Sequence, residues 1–366
     1  MHRSLPLRYV EPTFFAGLFD DPVLYLKIRP MGRALLLDCG RIDHLAKRVL
    51  KSIDALFVTH AHMDHFMGID TFIRNVHVSP RTIELFGPPG IAAKLEHKLA
   101  GYDWNLAEEN WCTFRVREIA GHVVTTYLLP GAEGFACRFE GHESRLHPVV
   151  YGNRWLRLSA AACYHKIPSL IYRLDERPPF SIDDDKLAEK GLVRGEWLRE
   201  LNRRVHEKTL DAGPLRVLRE DDTGSVAEQR VTDAASLYRE IRGDVASASL
   251  GYVTDVGYTE ANIETMTTLL RGVDLLVIEC TFLREDRDKA RASHHLCTDD
   301  VKDLVRRLQP QAVLPMHLSK SCIGRLDELY RELDLPPGTE VIRLPEHIAP
   351  RPLLPAEVED MLKETN

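Results

Sequence analysis

The chain has 366 residues, 44% of them hydrophobic and 28% charged, with a formal net charge of -7. That length suits one large domain with an insertion, or two domains, and the balance is that of an ordinary globular protein. The acidic charge argues against indiscriminate nucleic-acid binding, and no apolar run approaches the 18 or so residues of a membrane span.

The first residues, Met1-His-Arg-Ser-Leu-Pro-Leu, lack a long apolar core and a small-residue cleavage site, so no secretory signal is expected. The segments 22–29 and 34–38, joined by Pro-Met-Gly-Arg, predict a β-hairpin whose second strand ends on Asp38-Cys-Gly40. Residues 41–50 have helical spacing, and 53–59 reads as a buried strand. That strand runs into Thr59-His-Ala-His-Met-Asp-His65. On an extended backbone alternate side chains share a face, so His60 and His62 can grip one cation, while Asp64 and His65 project toward a second position. Imidazoles beside a carboxylate suit borderline divalent metals. A polar surface loop is the bland alternative.

Further along, 82–86 leads through Gly87-Pro-Pro-Gly90 into a helix over 91–99, and 154–164 reads as strand. From 178 to about 244 the sequence turns charged, with two helical segments expected. Its stretch 186–208 carries seven basic side chains, among them Arg199, Arg203 and Arg204, against four acidic ones; a solvated helix face accounts for it equally well. Strands return at 248–254, 274–278 and 311–315, with late helices near 298–308 and 324–333. Seven scattered cysteines without a C-x-x-C pair fit reduced thiols in the cytoplasm, and Cys39, Cys163 and Cys280 read as small buried hydrophobes.

Several strands end on chemically able residues: Asp38, His165, Asp255 and His317. Loops at strand ends of a rigid scaffold are where catalytic groups gather.

Together these motifs resemble the metallo-β-lactamase superfamily. The H-x-H-x-D-H pattern matches its signature, Asp38-Cys-Gly its first motif, and His165, Asp255 and His317 its later ones. Within the superfamily the chain resembles the ribonuclease Z branch, which cuts the 3′ trailer from precursor tRNA. That resemblance rests on Phe86-Gly-Pro-Pro-Gly, His165-Lys-Ile-Pro-Ser-Leu-Ile-Tyr-Arg, Pro179-Phe…Lys186-Leu…Gly191-Leu-Val-Arg-Gly195, His295-Leu-Cys-Thr and His317-Leu-Ser. It covers about residues 20–320. The chain departs from the branch where Arg41-Ile-Asp-His44 follows Asp38-Cys-Gly, where the branch's H-S-T is His295-Leu-Cys, and where its H-F-S-x-R-Y is His317-Leu-Ser-Lys-Ser-Cys322. Lys320 would take part of the missing arginine's place as a point charge, without its bidentate geometry.

The resemblance implies an α/β four-layer αβ/βα sandwich, two mixed sheets face to face with helices outside, in a single domain over 1–366 with an arm or lid inserted over 178–246. It implies two divalent metal ions, zinc first, with manganese or iron(II) as alternatives. His60, His62 and His165 would hold one, Asp64, His65 and His317 the other, and Asp255 would bridge them. Asp64 would also steer the proton of the attacking water. His295, with His294 its neighbour and rival, would protonate the leaving oxygen. Asp38 is read as an acceptor that fixes a histidine's tautomer. The expected activity is a phosphodiesterase on precursor tRNA, in a homodimer without membrane contact, with Lys320, Arg199, Arg203 and Arg204 touching substrate. A hydrolase of the same fold acting on a lactone, cyclic nucleotide or sulfate or phosphate ester is the alternative.

Overall fold

The structure is a computed structural model and describes residues 7–221 and 223–350. Two compact units divide the chain: one takes the residues up to Asp175 and from Ala248 onward, the other Glu176–Ser247.

The first unit holds two sheets. Eight strands follow one another in the first: β1 (Val10–Phe14), β2 (Leu24–Ile28), β3 (Arg33–Leu37), β4 (Ile53–Phe57), β5 (Thr82–Gly87), β6 (Thr113–Ala120), β7 (Val123–Pro130) and β8 (Arg138–Ser144). Strands β3 to β6 are parallel, and the flanking pairs are antiparallel. The second sheet is formed by β9 (Val149–Gly152), β10 (Leu156–Tyr164), β11 (Pro168–Glu176), β15 (Ser249–Val253), β16 (Leu275–Glu279), β17 (Ala312–Met316) and β18 (Glu340–Val341). Its order is β18-β17-β16-β15-β11-β10-β9.

Period-two alternation builds the layers. Leu35, Leu37 and Phe57 of the first sheet pack in one apolar core with Leu170, Tyr172, Leu275 and Val277 of the second. The alternate residues Leu36 and Leu56 pack outward with Leu50 of α1 (Lys47–Ser52), Phe72 and Ile73 of α3 (Ile69–Val76) and Leu95 of α4 (Ile91–Leu99). On the far side Leu276, Ile278 and Val313 meet Met266 of α8 (Glu260–Leu270), Val301 and Leu304 of α10 (Thr298–Leu308) and Leu329 of α11 (Leu326–Glu332). This is the αβ/βα four-layer sandwich.

The second unit carries α5 (Asp184–Glu189), α6 (Trp197–Glu207) and α7 (Ala234–Ile241) beside an antiparallel sheet of β12 (Leu192–Val193), β13 (Leu215–Glu220) and β14 (Val226–Val231). Leu187, Trp197, Leu201, Leu215, Val217, Leu237 and Ile241 form its own core.

Local expectations failed in two places. The helix anticipated over 41–50 starts only at Lys47. Before it, Arg41 pairs with Asp43 at 2.8 Å and His44 Nε2 lies 3.0 Å from the Phe15 carbonyl, so side-chain bonds hold a turn there. In 178–244, two helices were anticipated and three helices with a three-stranded sheet are found, because β13 (Leu-Arg-Val-Leu-Arg-Glu) and β14 (Val-Ala-Glu-Gln-Arg-Val) carry neither a sustained apolar alternation nor the β-branched runs that mark a strand.

Candidate active site

Strand β4 is buried, and the chain leaves it through Val58 and Thr59 to His60, which has no exposure. His62 caps the one-turn helix α2 (Met63–Phe66), which carries Asp64 at its mouth and His65 in its buried side. Gly40 makes that turn possible: a Cβ there would lie 2.3 Å from the Asp64 carbonyl oxygen and 2.6 Å from Asp21 Cβ.

The remaining groups arrive from the second sheet. His165 follows β10, Asp255 follows β15 and His317 follows β17. Asp38, Asp255 and His317 all have left-handed backbones, with φ of 55°, 51° and 57°. Such conformations at non-glycine residues are uncommon and cost of order 1 kcal/mol or more each, so their recurrence at strand ends marks a site fixed by its surroundings.

Asp255 lies at the centre. Its Oδ2 is 3.5 Å from His60 Nε2 and 3.4 Å from His165 Nε2, while its Oδ1 is 3.3 Å from His65 Nε2 and 3.0 Å from His317 Nε2. Asp64 Oδ2 lies 3.4 Å from His65 Nε2 and 3.7 Å from His317 Nε2. The candidate ligand atoms of His60, His62, His165 and Asp255 fall within 4.8 Å of one another, as do those of Asp64, His65 and His317. All seven residues expected as ligands are therefore brought together.

Hydrogen bonds settle which nitrogen of three imidazoles is free. His65 Nδ1 donates to Asp38 Oδ2 at 3.0 Å. The Thr59 hydroxyl donates its one hydrogen to Asp38 and accepts from His60 Nδ1 at 3.0 Å. His165 Nδ1 donates to the His294 carbonyl at 2.7 Å. In each case Nε2 keeps a lone pair aimed at Asp255, and the buried Nε2 atoms of His60 and His65 have no hydrogen-bond partner. Orphaned buried nitrogens around a carboxylate fit a cation between them.

The electrostatics agree. Burial among His65, His62 and His165 pulls His60 down to about pKa 2 and leaves it neutral. Burial opposes charge on Asp64, but His65 and His317 outweigh it and hold its carboxyl at about 2. Burial likewise opposes protonation of His65, but Asp255 and Asp38 override it and hold its pKa well above the usual imidazole value.

Beside this cluster stands His295. Its Nδ1 lies 2.8 Å from Oε2 of Glu279, a fully buried carboxylate at the end of β16. Burial works against the imidazolium, but Glu279 outweighs it and lifts the pKa to about 9. Glu279 also accepts from the Val256 and Leu296 amides and from Thr281 Oγ1. Sequence reading ended that strand at Ile278 and missed Glu279, though a carboxylate closing an apolar strand repeats the pattern of Asp38 and Asp255. Tyr252, whose hydroxyl donates to Asp38 Oδ2 at 3.0 Å across 214 residues, had no local signal. His294 has a different part: its carbonyl orients His165, and its ring packs edge-on to Tyr164 at 5.6 Å.

The expected substrate contacts belong to different units. Lys320 is exposed on the 3-10 turn after His317-Leu-Ser. In the second unit Arg199 is almost fully exposed, and Arg203 lies between Glu200 and Glu207 at 2.7 and 2.8 Å. Arg204 is turned inward, bonded to Glu200 and to the Gly213 carbonyl, so it serves that unit's own packing.

Residues 33–148 match the beta-lactamase superfamily domain. Over 320 residues the chain is 32% identical to Ribonuclease Z of Deinococcus radiodurans, covering 86% of this chain and 88% of that protein. The chain belongs to the ribonuclease Z family. Ribonuclease BN of Proteus mirabilis is 23% identical, over 78% of each chain. The fold is shared with a metallo-beta-lactamase fold protein of Bacillus subtilis, at a TM-score of 0.50, 12% identity, and coverage of 92% of this chain and 96% of that one. This ribonuclease Z-family chain is a metal-dependent hydrolase, and among the described residues no helix is long and apolar enough to cross a membrane.

Proposed function

We propose that the chain is an endoribonuclease that removes the 3′ trailer from precursor tRNA. The observation that carries this reading is the His295–Glu279 pair beside the seven-residue cluster. The cluster alone would serve any ester hydrolase of this fold. A separately held imidazolium equips it for a poor leaving group, such as a ribose 3′ oxygen, which must be protonated as it departs.

His60, His62 and His165 would hold one divalent ion and Asp64, His65 and His317 a second, with Asp255 serving both, zinc first and manganese or iron(II) as alternatives. Such ions, when bound, polarise a phosphoryl oxygen and bring the pKa of water toward neutrality. Asp64, ionised at the mouth of the site, accepts a hydrogen bond from the attacking water and orients it. His295 delivers the proton from Nε2 to the leaving oxygen, while Glu279 keeps Nδ1 protonated and steadies the positive ring. Asp38, Thr59 and the His294 carbonyl hold their histidines in the ligating tautomer.

The unit Glu176–Ser247 serves as an arm for folded RNA, with Arg199 and Arg203 as outward cations meeting phosphates. Seven free cysteines support a reducing, cytoplasmic setting. A homodimer completes the reading by likeness to the family, and sedimentation tests it.

The deciding experiment incubates the purified, metal-loaded protein with precursor tRNA bearing a 3′ trailer, beside bis-p-nitrophenyl phosphate and a panel of lactones. Cleavage at the trailer junction is expected. Intact tRNA with rapid turnover of a lactone or small ester would establish the small-molecule hydrolase instead.

A further inference from the structure

An open groove of about 560 Å³ runs between β10, α8 and the segment after β8. His122, Arg145, His147, Ala162, Glu264 and Thr268 are among its lining residues. It starts close to the active site, because Ala162 stands three residues before His165, about 10 Å along an extended strand.

Two features set this groove apart from ordinary surface. The first is Arg145. Its guanidinium donates to the carbonyls of Gly121, Pro148 and Ala160 at 2.7, 2.9 and 3.0 Å, which fixes it in place. Carbonyls do not cancel its charge, and among the described residues no carboxylate pairs with it. Glu264, the acid lining the groove, stands on α8. The second is Tyr164, two residues after the groove-lining Ala162 and one before His165. The residue is 52% exposed, yet its backbone is pinned at both ends. The buried Asn262 accepts from the Tyr164 amide and donates to its carbonyl, each at 2.9 Å, and the Gly257 amide donates to the same carbonyl at 3.1 Å. An aromatic ring carried on so firmly held a backbone, and packed edge-on to His294 at 5.6 Å, gives a base a stacking face.

We propose that this groove receives the single-stranded trailer of the RNA, with Tyr164 stacking a base beside the scissile phosphate and Arg145 meeting a phosphate farther along. The inference rests on the ribonuclease reading above and adds a track to it. Small side chains at Ala161 and Ala162 leave room for a strand, and an uncompensated fixed cation with an aromatic platform is the pairing that single strands require.

The test compares Tyr164→Ala, Tyr164→Trp and Ala162→Glu with the parent protein, all metal-loaded, with thermal melts to confirm folding. Substrates are precursor tRNAs whose trailers lengthen one nucleotide at a time, and bis-p-nitrophenyl phosphate. Tyr164→Ala should raise KM for trailered tRNA roughly tenfold or more beyond any loss on the small diester, and Tyr164→Trp should restore it. Ala162→Glu should weaken long trailers more than short ones. A single-stranded oligoribonucleotide carrying 2-aminopurine supplies a readout independent of cleavage: parental protein quenches it on binding, and both disruptive variants bind it less. If the parent cuts precursor tRNA while all variants match it in KM and quenching, the groove proposal falls and the ribonuclease reading stands. If the parent leaves precursor tRNA intact, that reading falls, and oligonucleotide quenching alone decides the groove.

Discussion

Glu279 Oε2 sits 2.8 Å from His295 Nδ1, a buried carboxylate behind a histidine that faces the ligand cluster. The pair ties the chemistry of the site to the end of β16. His295→Ala should cut turnover of precursor tRNA about 10²- to 10⁴-fold with the metals still bound. Bis-p-nitrophenyl phosphate should lose far less, since p-nitrophenolate departs without a proton. His294→Ala should lose little by this comparison, because the part of His294 that orients His165 is its carbonyl. The opposite ranking in steady-state kinetics would move the donor to His294.

The same pair sets a pH dependence. A proton donor works while protonated, so the rate falls as pH rises through its pKa. Glu279 raises that pKa to about 9, and divalent cations nearby pull it back toward neutrality. Glu279→Gln removes the raising charge while keeping the shape, so the alkaline fall of kcat should shift to lower pH. A profile that does not move in that variant would separate His295 from the limb.

Asp38 tests the tautomer argument. Asparagine tolerates the left-handed φ of 55°, so Asp38→Asn should keep the backbone. It removes the charge that holds Nδ1 of His65 and accepts from Thr59 and Tyr252. Metal affinity should fall about 10- to 100-fold, read by competition with a chromophoric chelator. Unchanged affinity would mean that packing alone orients His65.

Metal analysis of the purified protein should find close to two ions per chain. Chelation should abolish hydrolysis and lower Tm, since ions that bind only the folded state stabilise it by mass action. Asp255→Asn should lower occupancy at both positions, because each carboxylate oxygen faces a different histidine set. Loss of one ion alone would remove the bridge.

The arm separates RNA from small substrates. Charge reversal at Arg199 and Arg203 should raise KM for precursor tRNA, and the deficit should shrink as salt rises, since phosphate contacts act through counterion release. Arg204→Glu should instead lower the melting temperature, because that guanidinium bonds Glu200 and Gly213 within its own unit. Equal loss on bis-p-nitrophenyl phosphate in the Arg199 and Arg203 variants would reassign the unit as a lid.

How much of this was legible beforehand follows from the range of each interaction. Thr59 to His65 spells its candidate ligands in one short segment, because a strand end followed by one helical turn fixes their directions locally. The alternation of Leu35, Leu36 and Leu37 already assigns faces to β3, and family motifs ordered the later ligands. Side-chain roles that depend on distant partners were not readable. Only the packing of two sheets places Tyr252 on Asp38 and divides the two oxygens of Asp255 between four histidines from three loops. Arg203 and Arg204 are adjacent and chemically alike, yet one turns out and the other in, because the helix repeat puts Arg204 against the loop at Gly213. Glu279 became a partner of His295 only when α9 (Arg287–Ser293) and the turn at His294 brought the ring back over the end of β16. Sequence determined which chemistry was available; long-range packing decided which atom faces which.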